Sequence, residues 1–87
     1  MLNVYAVEWC PHCLMTVDYL KENGIQFNYL DMESQPEDVE QKIVEINGGI
    51  DWVVPTLEYN GKWRKGKVFD ADELRNDLVE MGVLHGT

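Results

Sequence analysis

A three-layer α/β/α fold, with the element order β-α-β-α-β-β-α around a four-stranded mixed sheet, is what this chain of 87 residues predicts. Three observations lead there. Short apolar runs of strand length alternate with segments whose apolar residues recur at helical spacing. Asn60-Gly61 separates two such runs near the C-terminus, and both residues tolerate the positive φ of a two-residue hairpin. Glycines stand where the helical segments should stop. The length suits one small domain with one core, over residues 1–87.

The elements follow in order. Residues 2–7 read as a mostly buried strand. Residues 11–23 read as a helix, with Pro11 tolerated in its first turn and Gly24 as the stop. Cys13, Val17 and Leu20 fall on one face of it, and Leu14 widens that stripe. Residues 26–31, with Phe27 among them, read as a second strand. Ser34-Gln35-Pro36-Glu37 has the form of a capping box, in which Ser34 caps a helix and Glu37 reaches back. Val39, Ile43 and Ile46 give that helix one buried face, and Asn47-Gly48-Gly49 ends it. Residues 56–59 and 62–68 are the two hairpin strands, antiparallel to each other. Asp70 caps a last helix whose inner face is Leu74, Leu78 and Met81, and Gly82 closes it. The first two strands, joined by a helix, should be parallel with a right-handed crossover. Met15, Met32 and Met81 read as core or gap filling, and Trp63 as sheet packing.

Composition narrows the function. Hydrophobic residues make up 45% of the chain, enough for a packed core, and no segment reaches the length of a membrane span. The net charge is −9, from 16 acidic and 7 basic residues. Such a surface repels phosphate backbones and anionic membranes, so neither nucleic acid nor a bilayer is an expected partner. The charge keeps a small domain soluble, or steers a partner that has a basic docking face. The first residues lack the flank and cleavage site of a signal peptide, so a cytoplasmic location is expected.

The chain has two cysteines, and both lie in Glu8-Trp9-Cys10-Pro11-His12-Cys13, between the first strand and the first helix. In a reducing compartment a lone close pair is catalytic or metal-binding rather than a structural staple. A cysteine entering a helix meets unpaired N–H groups and the positive end of the helix dipole, which favour an anionic sulfur. His12 adds a donor or a positive charge beside Cys10. Cys13 lies one helical turn on, which brings the two Cα atoms to about 5 Å, inside the range a disulfide accepts. A zinc site within one chain would need four ligands, and the remaining candidates are His12, caught between the cysteines, and His85 in the tail.

Cys10-Pro11-His12-Cys13 with Val54-Pro55-Thr56, on this element order, resembles the thioredoxin superfamily. Residues 4–13 are similar to the N-terminal signature of its glutaredoxin branch, with His12 where those proteins often carry tyrosine. Asn47-Gly48-Gly49 and Val54-Pro55-Thr56 resemble small redoxins of the mycoredoxin type. The resemblance implies a thiol–disulfide oxidoreductase that reduces protein or mixed disulfides. Cys10 would be the nucleophile, Cys13 the resolving thiol, and Pro11 and His12 residues that tune them. It implies a cis Pro55 facing the pair, with the Val54 backbone turned to an extended substrate, and Asp72 at the substrate. By position, Trp9 before the nucleophile and Trp52 before Val53-Val54-Pro55 could line the rim of the site and contact substrate, and each is equally suited to packing.

Glutaredoxins also grip glutathione, and here the pattern departs. Val7 stands where they carry a lysine, and Phe69-Asp70 where they carry two glycines; Asp72 keeps the acidic position, and Gln41 or Lys42 could assist from the second helix. No permanently bound cofactor is implied. The reductant is expected to be glutathione, another small thiol or a flavoenzyme, and the protein to act as a monomer. The alternative implied by the same resemblance is a dimer that holds an iron–sulfur cluster or metal through Cys10.

Overall fold

The structure, a computed structural model, describes residues 1–85. Strands β1 (Leu2–Ala6), β2 (Phe27–Asp31), β3 (Thr56–Tyr59) and β4 (Lys62–Arg64) form one sheet in the order β2-β1-β3-β4. Helices α1 (Pro11–Glu22), α2 (Glu37–Ile46) and α3 (Ala71–Met81) complete it. β1 and β2 are parallel; β1 and β3, and β3 and β4, are antiparallel.

Register sorts the layers. Val4 faces Leu57, which faces Arg64, so these three side chains leave the sheet on one side. Arg64 meets Asp77 of α3 there. Leu14, Val17 and Lys21 of α1 line a cavity with Phe27 and Tyr29, which pair with Leu2 and Val4, so α1 lies on that side too. Tyr5 and Trp63 point the other way and stack with ring centroids 6.0 Å apart. Lys42 of α2 sits over the Trp63 ring, which places α2 on this second face. Leu2, Val4, Ala6, Leu57, Leu74 and Leu78 are almost fully buried between the sheet and the α1/α3 layer. Burying each of these leucine and valine side chains is worth about 1.5–3 kcal/mol, and this sets the alternation along β1.

The hairpin forms at Asn60-Gly61, with φ of 50° and 83°, the left-handed pair a tight turn between twisted strands requires. Asp70 caps α3 by accepting from the Glu73 N–H at 2.9 Å.

Four expectations are corrected. Ser34 caps no helix. It ends a single 3₁₀ turn, Met32–Ser34, and its hydroxyl donates to Asp31. Asp31 caps that turn, while α2 begins at Glu37 behind Pro36, whose φ of −65° already suits a helix start. Leu14 does not widen the buried stripe of α1; it is 53% exposed, and Thr16 takes the inner position at 1%. The buried line runs through Cys13, Thr16 and Leu20, spaced by three and four, and Leu14 lies about 100° off the first of these. Met15 is exposed rather than gap-filling, whereas Met32 and Met81 are buried.

The fourth concerns β4, which stops at Arg64 instead of reaching residue 68. The register that pairs Leu57 with Arg64 would set Pro55 opposite Gly66. Pro55 has no N–H to continue the ladder, so the chain leaves the sheet. Residues 65–70 instead cross toward the start of α1, and this loop becomes part of the site.

Candidate functional site

β1 ends at Ala6, and residues 7–9 carry the chain to Cys10, the N-cap of α1. Cys10 has an extended backbone (φ −97°, ψ 116°), and its carbonyl accepts the first helical bond, from the Leu14 N–H at 3.1 Å. No side chain caps this helix and its first turn contains no acidic residue. Its free N–H groups therefore remain available to an anion at Cys10. Pro11 occupies the first helical position, exposed, where its missing N–H costs nothing.

The two thiols are free and unlike each other. Cys10 is half-buried; Cys13 is 1% exposed. Burial pushes the Cys13 thiol up to about 12. A hydrogen bond with the Val7 backbone opposes that rise, while a hydrogen bond with Cys10 and the Cys10 charge add to it. Replacing Cys10 by Ala removes both contributions from that sulfur and leaves burial. Cys13 is then expected to titrate below 12 yet above the ordinary 9.0 of a thiol. Ultraviolet thiolate absorbance against pH in the Cys10→Ala protein checks this, and an unchanged titration contradicts it.

His12 is half-buried and acts as an acceptor: its Nδ1 takes the Phe69 backbone N–H at 3.0 Å. That bond assigns the proton of the neutral ring to Nε2. The sequence offered a donor or a cation between the cysteines; the structure adds that one ring nitrogen is engaged by the 65–70 loop. Phe69 is held in turn by an edge contact with Tyr19 of α1, the ring centroids 6.3 Å apart.

The Val54-Pro55 peptide bond is cis, as the resemblance implies. Thr56 pairs with Tyr5, so Pro55 stands beside the end of β1 from which the chain runs to Cys10. Pro55 is buried and Val54 half-buried. Asp72 lies exposed in the first turn of α3, beside the loop that holds His12. Trp9 is 68% exposed, its Nε1 donating to Glu33 at 3.1 Å, and Trp52 packs partly against the core. Val7, at the position of the glutaredoxin lysine, is buried. Lys42 is taken up over Trp63. Trp9, Leu14, Met15, Ile50, Val53 and Val68 are exposed apolar residues. Trp9, Ile50, Val53 and Val68 lie on segments between elements, and Leu14 and Met15 lie in the first half of α1. A second feature, a largely apolar cavity of about 350 Å³, lies between α1 and β2 behind Cys13. Among the described residues, no three His, Cys, Asp or Glu side chains gather as metal ligands, and no helix is long and apolar enough to cross a membrane.

One contact of the candidate site was not apparent from the sequence. Phe69 acts through its backbone N–H, which leaves no trace in residue type.

Sheet order, helix placement and a cysteine pair at a strand-to-helix turn define a protein of thioredoxin-like fold, and solved structures bear this out. A glutaredoxin from Archaeoglobus fulgidus superimposes with a TM-score of 0.67 at 24% identity, covering 86% of this chain and 82% of that one. Wheat glutaredoxin gives 0.68 at 20% identity, covering 95% and 76%. The glutaredoxin family model matches residues 2–63, and the chain belongs to that family. Among characterised relatives, the glutaredoxin-like protein NrdH of Lactococcus lactis is 39% identical over 46 residues, which is 53% of this chain and 62% of that protein. The match thus spans about three fifths of that relative's length. Mycoredoxin 1 of Corynebacterium glutamicum is 29% identical over 59 residues, 68% of this chain and 70% of that one.

Proposed function

We propose that this chain is a thiol–disulfide oxidoreductase that reduces protein or mixed disulfides through Cys10 and Cys13. The observation that carries the reading is the asymmetry of the pair: Cys10 reachable at a helix N-terminus, Cys13 buried and protonated at neutral pH. Family membership supports it.

The steps balance as two-electron exchange. The Cys10 thiolate attacks one sulfur of the substrate disulfide. A Cys10–substrate bond forms, the substrate bond breaks, and the leaving thiolate takes a proton from water. The Cys10 sulfur, now bound in the mixed disulfide, carries no charge and no longer opposes ionisation of Cys13. Cys13 loses its proton to water and attacks Cys10; the Cys10–substrate bond breaks, and the second substrate sulfur leaves as a thiolate that takes a proton back. The substrate has gained two electrons, and the Cys10–Cys13 disulfide holds the oxidised state. An external thiol or a flavoenzyme then returns two electrons.

Around this exchange, Pro11 starts the helix that presents Cys10, and His12 tunes the pair from a ring held by Phe69. The Val54 backbone beside Pro55 takes an extended substrate segment as an added strand. Trp9 supplies an exposed aromatic surface, and Asp72 a carboxylate at the start of α3. Val7, apolar and buried, stands where the resemblance places the glutaredoxin lysine, so no cation is offered to glutathione there. That favours a flavoenzyme or a different small thiol as reductant, in the cytoplasm.

Cys13→Ser is expected to stop the exchange halfway. Incubated with an excess of a peptide disulfide, it should accumulate one adduct on Cys10, visible by intact mass and lost on adding dithiothreitol. Wild-type protein treated alike should show no lasting adduct and lose two mass units' worth of hydrogen as the internal disulfide forms. Absence of any adduct on Cys10 would refute the assignment.

A further inference from the structure

Asn47 sits at the C-cap of α2, outside the cysteine motif, yet every polar atom of its side chain is engaged. Nδ2 donates to the Ile43 carbonyl at 2.9 Å and to Thr56 Oγ1 at 3.0 Å. Oδ1 accepts from the Gly66 N–H at 2.7 Å. The Thr56 hydroxyl passes the connection on, donating to the Val53 carbonyl at 2.6 Å. One amide therefore joins the end of α2 to two loops that are distant in sequence, residues 53–55 and residues 65–69.

Those loops also touch. A Cβ added to Gly66 would lie 2.7 Å from Val53 Cβ and 2.8 Å from the Val53 carbonyl carbon, closer than real side chains approach. Only glycine allows this contact; Asn47 bonds to its Gly66 side directly and to its Val53 side through the Thr56 hydroxyl. Beyond it the first loop leads to Val54 and Pro55, and the second to Phe69, whose N–H holds His12. An amide suits the junction because it supplies one acceptor and two donors in a plane. Alanine would supply neither, and aspartate only the acceptor.

We propose that Asn47 is a positioning residue that holds the 53–55 loop against the 65–69 loop, and so sets the preference of the site for extended peptide disulfides over small ones. The inference rests on the oxidoreductase reading above. A peptide that lies along Val54 and reaches Cys10 depends on where these loops stand. A small disulfide reaches the cysteine pair without lying along Val54.

The test compares two substrates with the same leaving group, under one dithiothreitol supply. One is a linear peptide whose single cysteine is capped with 2-mercaptoethanol; the other is bis(2-hydroxyethyl) disulfide. For Asn47→Ala, KM for the capped peptide is expected to rise about tenfold with kcat kept, while kcat/KM for the small disulfide stays within about twofold. Asn47→Asp, which keeps the acceptor for Gly66, should fall between Asn47→Ala and wild type. Thr56→Val, close in shape and lacking the bond to Val53, should show the same split, and it carries the test if Asn47→Ala does not fold. Equal losses on both substrates, or no change on either, would overturn the proposal and leave Asn47 a structural residue. A wild-type protein that reduces neither substrate removes the oxidoreductase reading itself.

Discussion

Cys10→Ser is expected to lower disulfide reduction by at least about 10³-fold, to the uncatalysed background. A serine hydroxyl is not ionised at neutral pH and forms no disulfide, so neither the first bond nor the resolving step has a substitute. The loss should not reflect unfolding. Cys10 is half-buried, caps no helix through its side chain and lies at the edge of the core. Its stability should stay within about 1 kcal/mol of wild type, as for most substitutions that open no cavity. Cys13→Ser should behave differently: dithiol turnover is lost, while exchange that needs one cysteine and a small thiol persists. Parallel assays of the two variants, with unfolding curves as control, distinguish these outcomes. Appreciable activity in a well-folded Cys10→Ser protein would remove the nucleophile assignment.

Asp77→Ala is expected to cause the largest loss of stability. Arg64 is 6% exposed, beneath α3, and its Nε donates to Asp77 at 2.6 Å. Lys67 reaches the same carboxylate at 3.0 Å, and Glu73 lies 3.9 Å from both cations. Removing Asp77 leaves a buried guanidinium with only the distant Glu73. Breaking a buried ion pair from one side costs roughly 3–5 kcal/mol, and partial exposure of Asp77 places this case at the lower end. For a chain of this size that is a fall in Tm on the order of 10 °C or more.

The pH dependence gives the same prediction a second check. Burial alone would raise the Asp77 carboxyl, but hydrogen bonds from Arg64 and Lys67, and their charges, outweigh it and hold it below 3.8. A carboxyl depressed in the folded state stabilises it fully above the unfolded value and loses that contribution as pH falls through the folded one. The gap between wild type and Asp77→Ala should therefore be constant around neutrality and narrow below about 3.8. Urea unfolding across that range measures it, and a gap that widens in acid contradicts the ion-pair account.

The cysteine motif, the alternation along β1, the hairpin at Asn60-Gly61 and the cap at Asp70 were all legible in the chain, because each signal lies within a few residues of its effect. The capping box at Ser34 shows the limit of such signals. Ser34 and Glu37 have the right spacing, but Asp31 takes the Ser34 hydroxyl first and Pro36 delays the helix. Leu14 is a milder case, a one-position error in locating the centre of a helical face. Arg64 is the opposite one: nothing local marks a buried cation, since its partner lies 13 residues on in α3.

Local chemistry alone, then, was enough to say that a thiol pair meets a helix start within a mixed sheet, and which glycines and caps punctuate the elements. The contacts that reach the motif from distant loops depended on the chain folding back on itself. The Phe69 N–H that orients His12 comes from 57 residues away, and the amide of Asn47 reaches 19 residues to Gly66. Backbone donors carry no residue-type signature, and a ladder that stops at Pro55 frees a loop whose destination is set by packing. Short-range preferences choose the elements; long-range hydrogen bonds choose which loops stand beside the cysteine motif.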